Sequence, residues 1–151
     1  MNLSEHFTLA ELTRSDAATR LHIDNTPPPA VVDALRAVCV HVLEPVRAHF
    51  GKPVTVNSGY RSPAVNRAVK GAATSQHTRG EAVDFEVPGV ANGDVAAWVR
   101  FNLQFDQLIL EAYTPGNPSS GWVHCSWKPS GRRQSVLTFV PGKGYFNGLS
   151  V

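Results

Sequence analysis

The sequence has few of the features that would place it outside the ordinary globular proteins. No apolar run approaches the roughly 20 residues that a membrane-spanning helix needs. The formal net charge is only +2, and the one compact basic run, GRRQ at 131–134, is most simply a solvated turn. Charged residues amount to 17% and hydrophobic residues to 42%, which excludes a disordered chain. We therefore expect no membrane insertion and no nucleic-acid partner.

Cysteine is also scarce. Cys39 and Cys125 are the only two in the chain, and neither belongs to a CxxC pair. We expect both to be free thiols in a reducing compartment. The N-terminal stretch MNLSEHFTLAELTRSD lacks the apolar segment and cleavage site of a secretory signal. We therefore expect a protein that is made in the cytoplasm without a signal peptide.

The order of sequence patterns predicts a single α+β domain over residues 1–151, with an N-terminal arm at about 1–26. An apolar stripe at helical spacing runs from Ala30 to Phe50. Pro45 lies inside it, so the helix should kink or break near His41. Shorter helices are predicted after Thr8, after Ser62 and from Asn92 to Leu103.

After Gly51 the pattern changes to short β-type runs separated by Gly and Pro. The predicted strands are 53–57, 81–87, 105–112, 121–127 and 135–140. The last three are expected to form an antiparallel sheet, and the tail from Pro141 is expected to be turn-rich. The predicted architecture is therefore a layer of N-terminal helices packed on a small, mainly antiparallel β-sheet.

The stretch SQHTRGEAVDF (75–85) contains a candidate pair of metal ligands. His77 and Asp84 flank Gly80, so their side chains can converge at the start of a strand. Imidazole nitrogen and carboxylate oxygen are both preferred zinc donors. His124, in the strand GWVHCSW, shares a face with Trp122 and could be a third ligand. A lone histidine in a strand is more often a structural residue, so the pattern alone leaves the third ligand open.

Two histidines and one carboxylate leave a coordination position for water, which is typical of a catalytic rather than a structural zinc site. The aromatic residues Tyr60 and Trp122 are candidates for the wall of a substrate cleft, although aromatic residues in strands are more often core residues.

Four segments together resemble a known family. They are SGYRSPAVNRAV (58–69), SQHTRGEAVDF, FDQLILE and GWVHCSW, in that order. The chain resembles the D-alanyl-D-alanine carboxypeptidase-like zinc peptidases, which include D-Ala-D-Ala carboxypeptidases, dipeptidases, and phage endolysins that cut the L-alanyl–D-glutamate bond of peptidoglycan. The resemblance is clearest over 53–127. Every fixed position of the pattern Ser-x-His-x-x-Gly-x-Ala-x-Asp is matched, by Ser75, His77, Gly80, Ala82 and Asp84.

The resemblance implies a hedgehog/D-Ala-D-Ala peptidase-like fold with one zinc ion per chain, held by His77, Asp84 and His124. It places Arg61 beside the metal, where a guanidinium would stabilise the oxyanion of the transition state. Ser75 either bonds near the metal or substrate, or shapes the loop before His77.

The general base is where the sequence departs from the better-known members, which often carry an acidic residue three positions before the last histidine. Here that position is Gly121. A hairpin through AYTPGNPSSG would bring Glu111 near Trp122 and His124, so we predict Glu111 as the base. Asp106 is the weaker candidate, because alternation along a strand from 105 to 112 places it on the opposite face.

Two functions follow from these residues. The favoured one is a monomeric zinc peptidase that cleaves peptidoglycan peptides after release from the cytoplasm, or as part of a phage particle. The alternative is a catalytically inactive zinc-containing module that binds the cell wall or a protein, a loss that the hedgehog signalling domain exemplifies. A thiol hydrolase is excluded, since Cys125 and His124 are adjacent in a strand and point to opposite faces.

Overall fold

Within residues 1–150, capping side chains set where three of the six helices begin. The computed structural model describes residues 1–150. Helix α1 starts after Thr8, whose hydroxyl oxygen accepts a hydrogen bond from the Glu11 amide, while the Glu11 carboxylate accepts one from the Thr8 amide. The helices are α1 (Leu9–Thr13), α2 (Asp16–Leu21), α3 (Pro29–Val38), α4 (Glu44–Phe50), α5 (Pro63–Ala68) and α6 (Asn92–Asn102). Within residues 1–150, none of them is long and apolar enough to cross a bilayer.

The long apolar stripe is interrupted where Pro45 requires it. Between α3 and α4 the residues Cys39–Leu43 form a π-helical turn, in which the Glu44 amide donates to the Cys39 carbonyl five residues back. Proline has no N–H and its ring collides with the carbonyl four residues earlier, here that of His41. The predicted break near His41 is thus confirmed.

Of two predicted helix caps, the one at Ser62 is confirmed and the one at Asn92 is wrong. Ser62 caps α5 as expected, with its hydroxyl accepting from the Val65 amide. Asn92, in contrast, lies inside the first turn of α6, and the cap position belongs to Ala91. The Asn92 side chain instead donates to the backbone carbonyls of Ser120 and Gly121. A capping residue type in the sequence therefore serves here to hold a distant loop.

Within the described residues the strands form one mixed sheet, which confirms the α+β class. The strands are β1 (Thr55–Ser58), β2 (Ala82–Glu86), β3 (Gln107–Glu111), β4 (Trp122–Ser126), β5 (Ser135–Val140) and β6 (Gly144–Asn147), in the spatial order β1-β2-β4-β3-β5-β6. The tail predicted to be turn-rich supplies β6.

The expectation that the last three predicted strands are mutually antiparallel is wrong for one pair. β3 and β4 are antiparallel, but β5 runs parallel to β3. The chain after β4 returns to the start of β3, where the Ser135 amide donates to the Asp106 carbonyl at 2.9 Å. Alternation of apolar residues predicts a strand but not its direction, so the sequence pattern could not show this crossover.

The sheet has one face in the core and one that carries polar groups. Strand residues on the core face are fully buried with the helices in one hydrophobic cluster; they include Val83, Phe85, Leu108, Leu110, Val123 and Cys125. Alternation along the same strands turns Asp84, Glu111 and His124 to the other face. The core therefore fixes which side chains are available for chemistry.

The N-terminal arm is held to the helices by one carboxylate. Glu44 accepts hydrogen bonds from the Ser4 hydroxyl at 2.7 Å and the His6 amide at 2.8 Å, and its second oxygen lies 2.7 Å from Nδ1 of His6. Leu3 and Phe7, on either side, are buried. Burial alone would raise the pKa of Glu44, but the hydrogen bonds from Ser4 and His6 outweigh it and lower the pKa.

We expect the substitution Glu44→Gln to lower the free energy of unfolding by about 1–3 kcal/mol at neutral pH, because it removes charge-assisted hydrogen bonds. A carboxyl group whose pKa is lower in the folded state stabilises the fold above its unfolded pKa and loses this effect as the pH falls through the folded pKa. The difference between wild type and variant should therefore shrink in acid, as measured by urea unfolding at a series of pH values. Asp33→Asn, at an exposed site on α3, is the control. A difference that does not change with pH would contradict this account.

Candidate metal centre

Three segments bring the predicted ligands together. His77 lies on a short 3-10 turn, Gln76–Arg79, while Asp84 lies on β2 and His124 on β4. Antiparallel pairing of β2 with β4 places Asp84 directly opposite His124. One donor atom from each of the three residues lies within 4.8 Å of the others. The three side chains therefore form a cluster that could hold a metal ion.

The orientation of His77 is set by its outer ring nitrogen. Nδ1 lies 2.7 Å from the Gly59 carbonyl oxygen, so Nδ1 carries the proton and donates it there. Nε2 is then left with its lone pair, 3.4 Å from a carboxylate oxygen of Asp84. The turn that carries His77 ends at Gly80, which has φ +72° and sits so close to Val31 that a Cβ would lie 2.8 Å from its side chain. Glycine is required there for steric as well as conformational reasons.

Asp84 is held in its charged form. Burial alone would raise its pKa, but the hydrogen bond with His124 and the proximity of the His77 ring outweigh this and hold the pKa well below its usual range. The distance from Nδ1 of His124 to the carboxylate is 2.9 Å. Two imidazoles and an ionised carboxylate thus face one another in a largely buried position.

Arg61 and Ser75 lie beside this cluster. Nη2 of Arg61 donates to the Ser75 hydroxyl at 3.1 Å, and the same hydroxyl accepts from the His77 amide at 3.3 Å. These bonds show that Ser75 shapes the loop before His77, while its contact with substrate stays a prediction. Burial lowers the pKa of Arg61, while the charges of Asp84 and Glu111 act in the opposite direction. An arginine in this setting stays charged.

Glu111 is a further acidic residue close to the His77, Asp84 and His124 cluster. It ends β3 and pairs with Trp122, the first residue of β4. Burial and the nearby charge of Asp84 raise the pKa of Glu111, and the charges of His124 and Arg61 only partly offset this rise. A carboxylate with a raised pKa is better suited to accept a proton near neutral pH than an exposed one.

Comparison with known protein families is consistent with a metal site at this cluster. A profile of the Peptidase M15 family matches residues 5–126, which is most of the chain. The chain belongs to the M15 peptidase family. This is the D-Ala-D-Ala carboxypeptidase-like zinc peptidase family that the motifs resemble. A search of curated proteins finds no match to this chain.

The donor set of this M15 chain fits zinc. Imidazole nitrogen and carboxylate oxygen are ligands that zinc prefers, and three protein ligands leave a position for water. The hydrogen bond from His77 to the Gly59 carbonyl is the kind of outer contact that orients a ligating imidazole. The ionised Asp84 supplies the negative charge that a divalent cation requires.

The better-known members often carry an acidic residue three positions before the last histidine, where this M15 chain has Gly121. The reason for this difference is steric. Gly121 adopts φ +68°, and a Cβ at this position would lie 2.0 Å from the Glu111 carbonyl oxygen. No side chain of any kind fits the observed backbone, so an acidic residue at 121 would require the hairpin to open. The contact that excludes a side chain at 121 is a contact with Glu111 itself.

Asp106, the weaker candidate for the base, is already fully engaged. The prediction that it points away from the cleft is wrong, because β3 begins only at Gln107 and strand alternation does not extend to 106. Its carboxylate accepts from Nε of Arg133 at 3.0 Å, from Nη2 of Arg133 at 2.8 Å and from Gln76 at 2.8 Å. The hydrogen bond from Arg133 holds the pKa of Asp106 well below its usual range. Such a group is a poor proton acceptor at neutral pH.

The cluster lies in a cleft of about 750 Å³. Trp122 lines it, as predicted from the sequence. Tyr60 does not, and the expectation that it contacts substrate is wrong: its side chain is 4% exposed and belongs to the hydrophobic core. The backbone around Tyr60 is tied down by the N-terminal arm, since its amide donates to the Leu12 carbonyl at 2.7 Å.

Several cleft residues have no counterpart among those predicted. They are Ala72, Thr74, Gln76, Arg79, Gln107, Ile109, Lys128, Arg133 and Tyr145. Arg133 belongs to the run at 131–134 that reads as a solvated turn, and only the crossover between β4 and β5 brings it to the cleft. The sequence carries no local signal for this placement.

We expect His124→Ala to lower zinc affinity by roughly two orders of magnitude or more, because it removes one of three protein ligands. Competition titration against a chromophoric chelator measures the change. The control is His22→Asn, which removes an exposed histidine at the left-handed end of α2, a conformation that asparagine tolerates. Unchanged zinc affinity in a folded His124→Ala protein would exclude His124 as a ligand.

We further expect Gly121→Ala to destabilise the protein by more than about 2 kcal/mol, since it combines positive φ with a collision against backbone. Thermal and urea unfolding measure this effect. Gly116→Ala, at positive φ in the same hairpin loop but with open space around its Cβ, isolates the conformational component. Equal losses in the two variants would show that the contact with Glu111 has no steric importance.

Proposed function

We propose that the protein is a zinc-dependent peptidase that hydrolyses peptide bonds of peptidoglycan, of the D-Ala-D-Ala or L-Ala-D-Glu type, on a hedgehog/D-Ala-D-Ala peptidase-like fold. Membership of the M15 family supports the hydrolase class. The observation that carries the proposal is the arrangement of Glu111 and Arg61 on the wall of the cleft that contains the His77, Asp84 and His124 cluster. A binding module would not need a half-buried carboxylate with a raised pKa at this position.

A zinc ion held by His77, Asp84 and His124 would supply Lewis-acid chemistry, polarising the substrate carbonyl and lowering the pKa of water. The Glu111 carboxylate accepts the proton of the attacking water at one of its oxygens. The Arg61 guanidinium stabilises the negative charge that develops on the carbonyl oxygen. Glu111 then returns the proton to the nitrogen of the leaving amine.

Two N–H groups in the cleft remain for the substrate. Nε of Arg61 and Nε1 of Trp122 are buried and have no hydrogen-bond partner within residues 1–150. Buried donors are normally satisfied, so each favours an acceptor that arrives with a ligand. Peptide carbonyl oxygens are acceptors of the required kind.

We also propose that one chain acts alone on peptidoglycan peptides, with one zinc ion. It would reach the cell wall either after release from the cytoplasm, as an endolysin does, or as part of a phage particle.

We expect Glu111→Gln to reduce hydrolysis by about 10²–10⁴-fold, because the amide cannot accept the proton, while zinc content stays at the wild-type level. Purified peptidoglycan is digested with the metal-loaded proteins, and new termini are identified by mass spectrometry. Glu5→Gln, whose side chain is 83% exposed, serves as the control.

Full hydrolysis by the Glu111→Gln protein would remove Glu111 from the role of base. Absence of new termini with the wild-type protein, across several wall types, would instead favour the catalytically inactive binding module.

A further inference from the structure

We propose that the end of the cleft at the start of β3 is a subsite for a carboxylate of the peptide substrate, bound by Lys128 and Arg133. This inference rests on the proposed function and deepens it, since it names a chemical feature that a good substrate must carry.

A buried carboxylate holds the subsite in place. Asp106 is 1% exposed and accepts two hydrogen bonds from the Arg133 side chain and one from the Arg133 amide. Gln76 donates to the same carboxylate, and Nζ of Lys128 lies 3.8 Å from it. A guanidinium held by two parallel hydrogen bonds keeps a fixed orientation.

The charges at this end of the cleft do not balance. Two cations, Lys128 and Arg133, surround the single carboxylate of Asp106, which leaves an excess of one positive charge. Both cations remain accessible, with side chains 34% and 55% exposed. No residue within 1–150 accepts a hydrogen bond from Nη1 of Arg133. A nearby exposed arginine, Arg79, is in contrast already paired with Glu81 at 2.7 Å.

The distance between the subsite and the metal cluster suits a peptide that lies along β3. Ile109 pairs with His124 across the strands, and Asp106 lies three residues earlier, about 10 Å along an extended strand. An extended peptide covers this distance in about three residues. The carboxylate that the subsite takes is therefore separated from the cleaved bond by two or three residues, which is too far for the terminal carboxylate of the departing residue in a D-Ala-D-Ala carboxypeptidase reaction.

The subsite also lies outside the segment that the family profile matches. That segment ends at residue 126, whereas Lys128 and Arg133 follow it in the crossover to β5. The metal cluster, Arg61 and Glu111 all fall inside the matched segment. The cationic pair therefore lies beyond the part of the chain that the family profile matches.

Stem peptides of peptidoglycan offer such a carboxylate in two places, on the glutamyl residue and at the C-terminus. The test uses a synthetic peptide L-Ala-γ-D-Glu-L-Lys-D-Ala-D-Ala in four forms, with each of these two carboxylates either free or amidated. Binding is measured by calorimetry at low salt with the zinc-loaded Glu111→Gln protein, so that hydrolysis does not interfere. Hydrolysis of the same peptides by the wild-type protein is followed in parallel.

We expect amidation of the recognised carboxylate, and not of the other, to weaken binding about tenfold, as the loss of a charge-assisted hydrogen bond requires. Adding Lys128→Gln or Arg133→Gln should reduce this preference to about threefold or less. Adding Lys52→Gln, which removes an exposed lysine away from the cleft, should leave the preference intact. The lysine variant keeps the test valid if Arg133→Gln, which weakens the support of buried Asp106, does not fold.

Four peptides that bind equally, or that do not bind, would overturn the subsite, as would a preference that persists in both variants. Hydrolysis of acid and amide forms at equal rates would leave the peptidase function standing without the subsite. Acid-selective binding that depends on Lys128 and Arg133, in a protein that cleaves none of the peptides, would support the subsite and remove the peptidase function.

Discussion

The antiparallel pairing of β2 with β4 is the interaction on which the rest of the site depends. It places Asp84 opposite His124, and the hydrogen bond between them aligns two candidate metal ligands that lie forty residues apart in the chain. The pairing is itself held by the core, because Val83 and Cys125 form the next pair and are both fully buried. A slip of one residue would turn the ligands into the core and the apolar residues into the cleft. The hydrophobic effect therefore selects the register that assembles the metal centre.

The position of Glu111, the proposed base, follows from the hairpin between β3 and β4. Gly121 lies so close to the Glu111 carbonyl that no side chain fits there, while Asn92 holds the returning strand through the carbonyls of Ser120 and Gly121. The tight return places Glu111 on the wall of the cleft with a pKa raised by burial. In this protein the hairpin thus excludes one site for an acidic residue and supplies another.

The two carboxylates at opposite ends of β3 show how environment divides their roles. Glu111 has few compensating partners and its pKa rises, which suits proton transfer. Asp106 is enclosed by Arg133 and Gln76, its pKa falls, and it orients the cations around it. Two carboxyl groups of one cleft therefore have different environments: that of Asp106 gives structural support, and that of Glu111 suits the proposed base.

The sequence by itself determined the helices and strands, apart from α2 and β6, together with the break near His41 and the convergence of His77 and Asp84, because caps, prolines and apolar periodicity act locally. Family motifs extended this to His124 and Arg61, and the expected hairpin, rather than a motif, indicated Glu111 as the base. Only the tertiary structure decided that Tyr60 turns into the core, that Asp106 faces the cleft and that β5 runs parallel to β3. These features depend on contacts between distant segments, such as Tyr60 with Leu12 and Ser135 with Asp106. Local patterns do not encode the direction of a strand or the segment that a loop packs against. The residues around Arg133 therefore give no signal that it lies in the cleft.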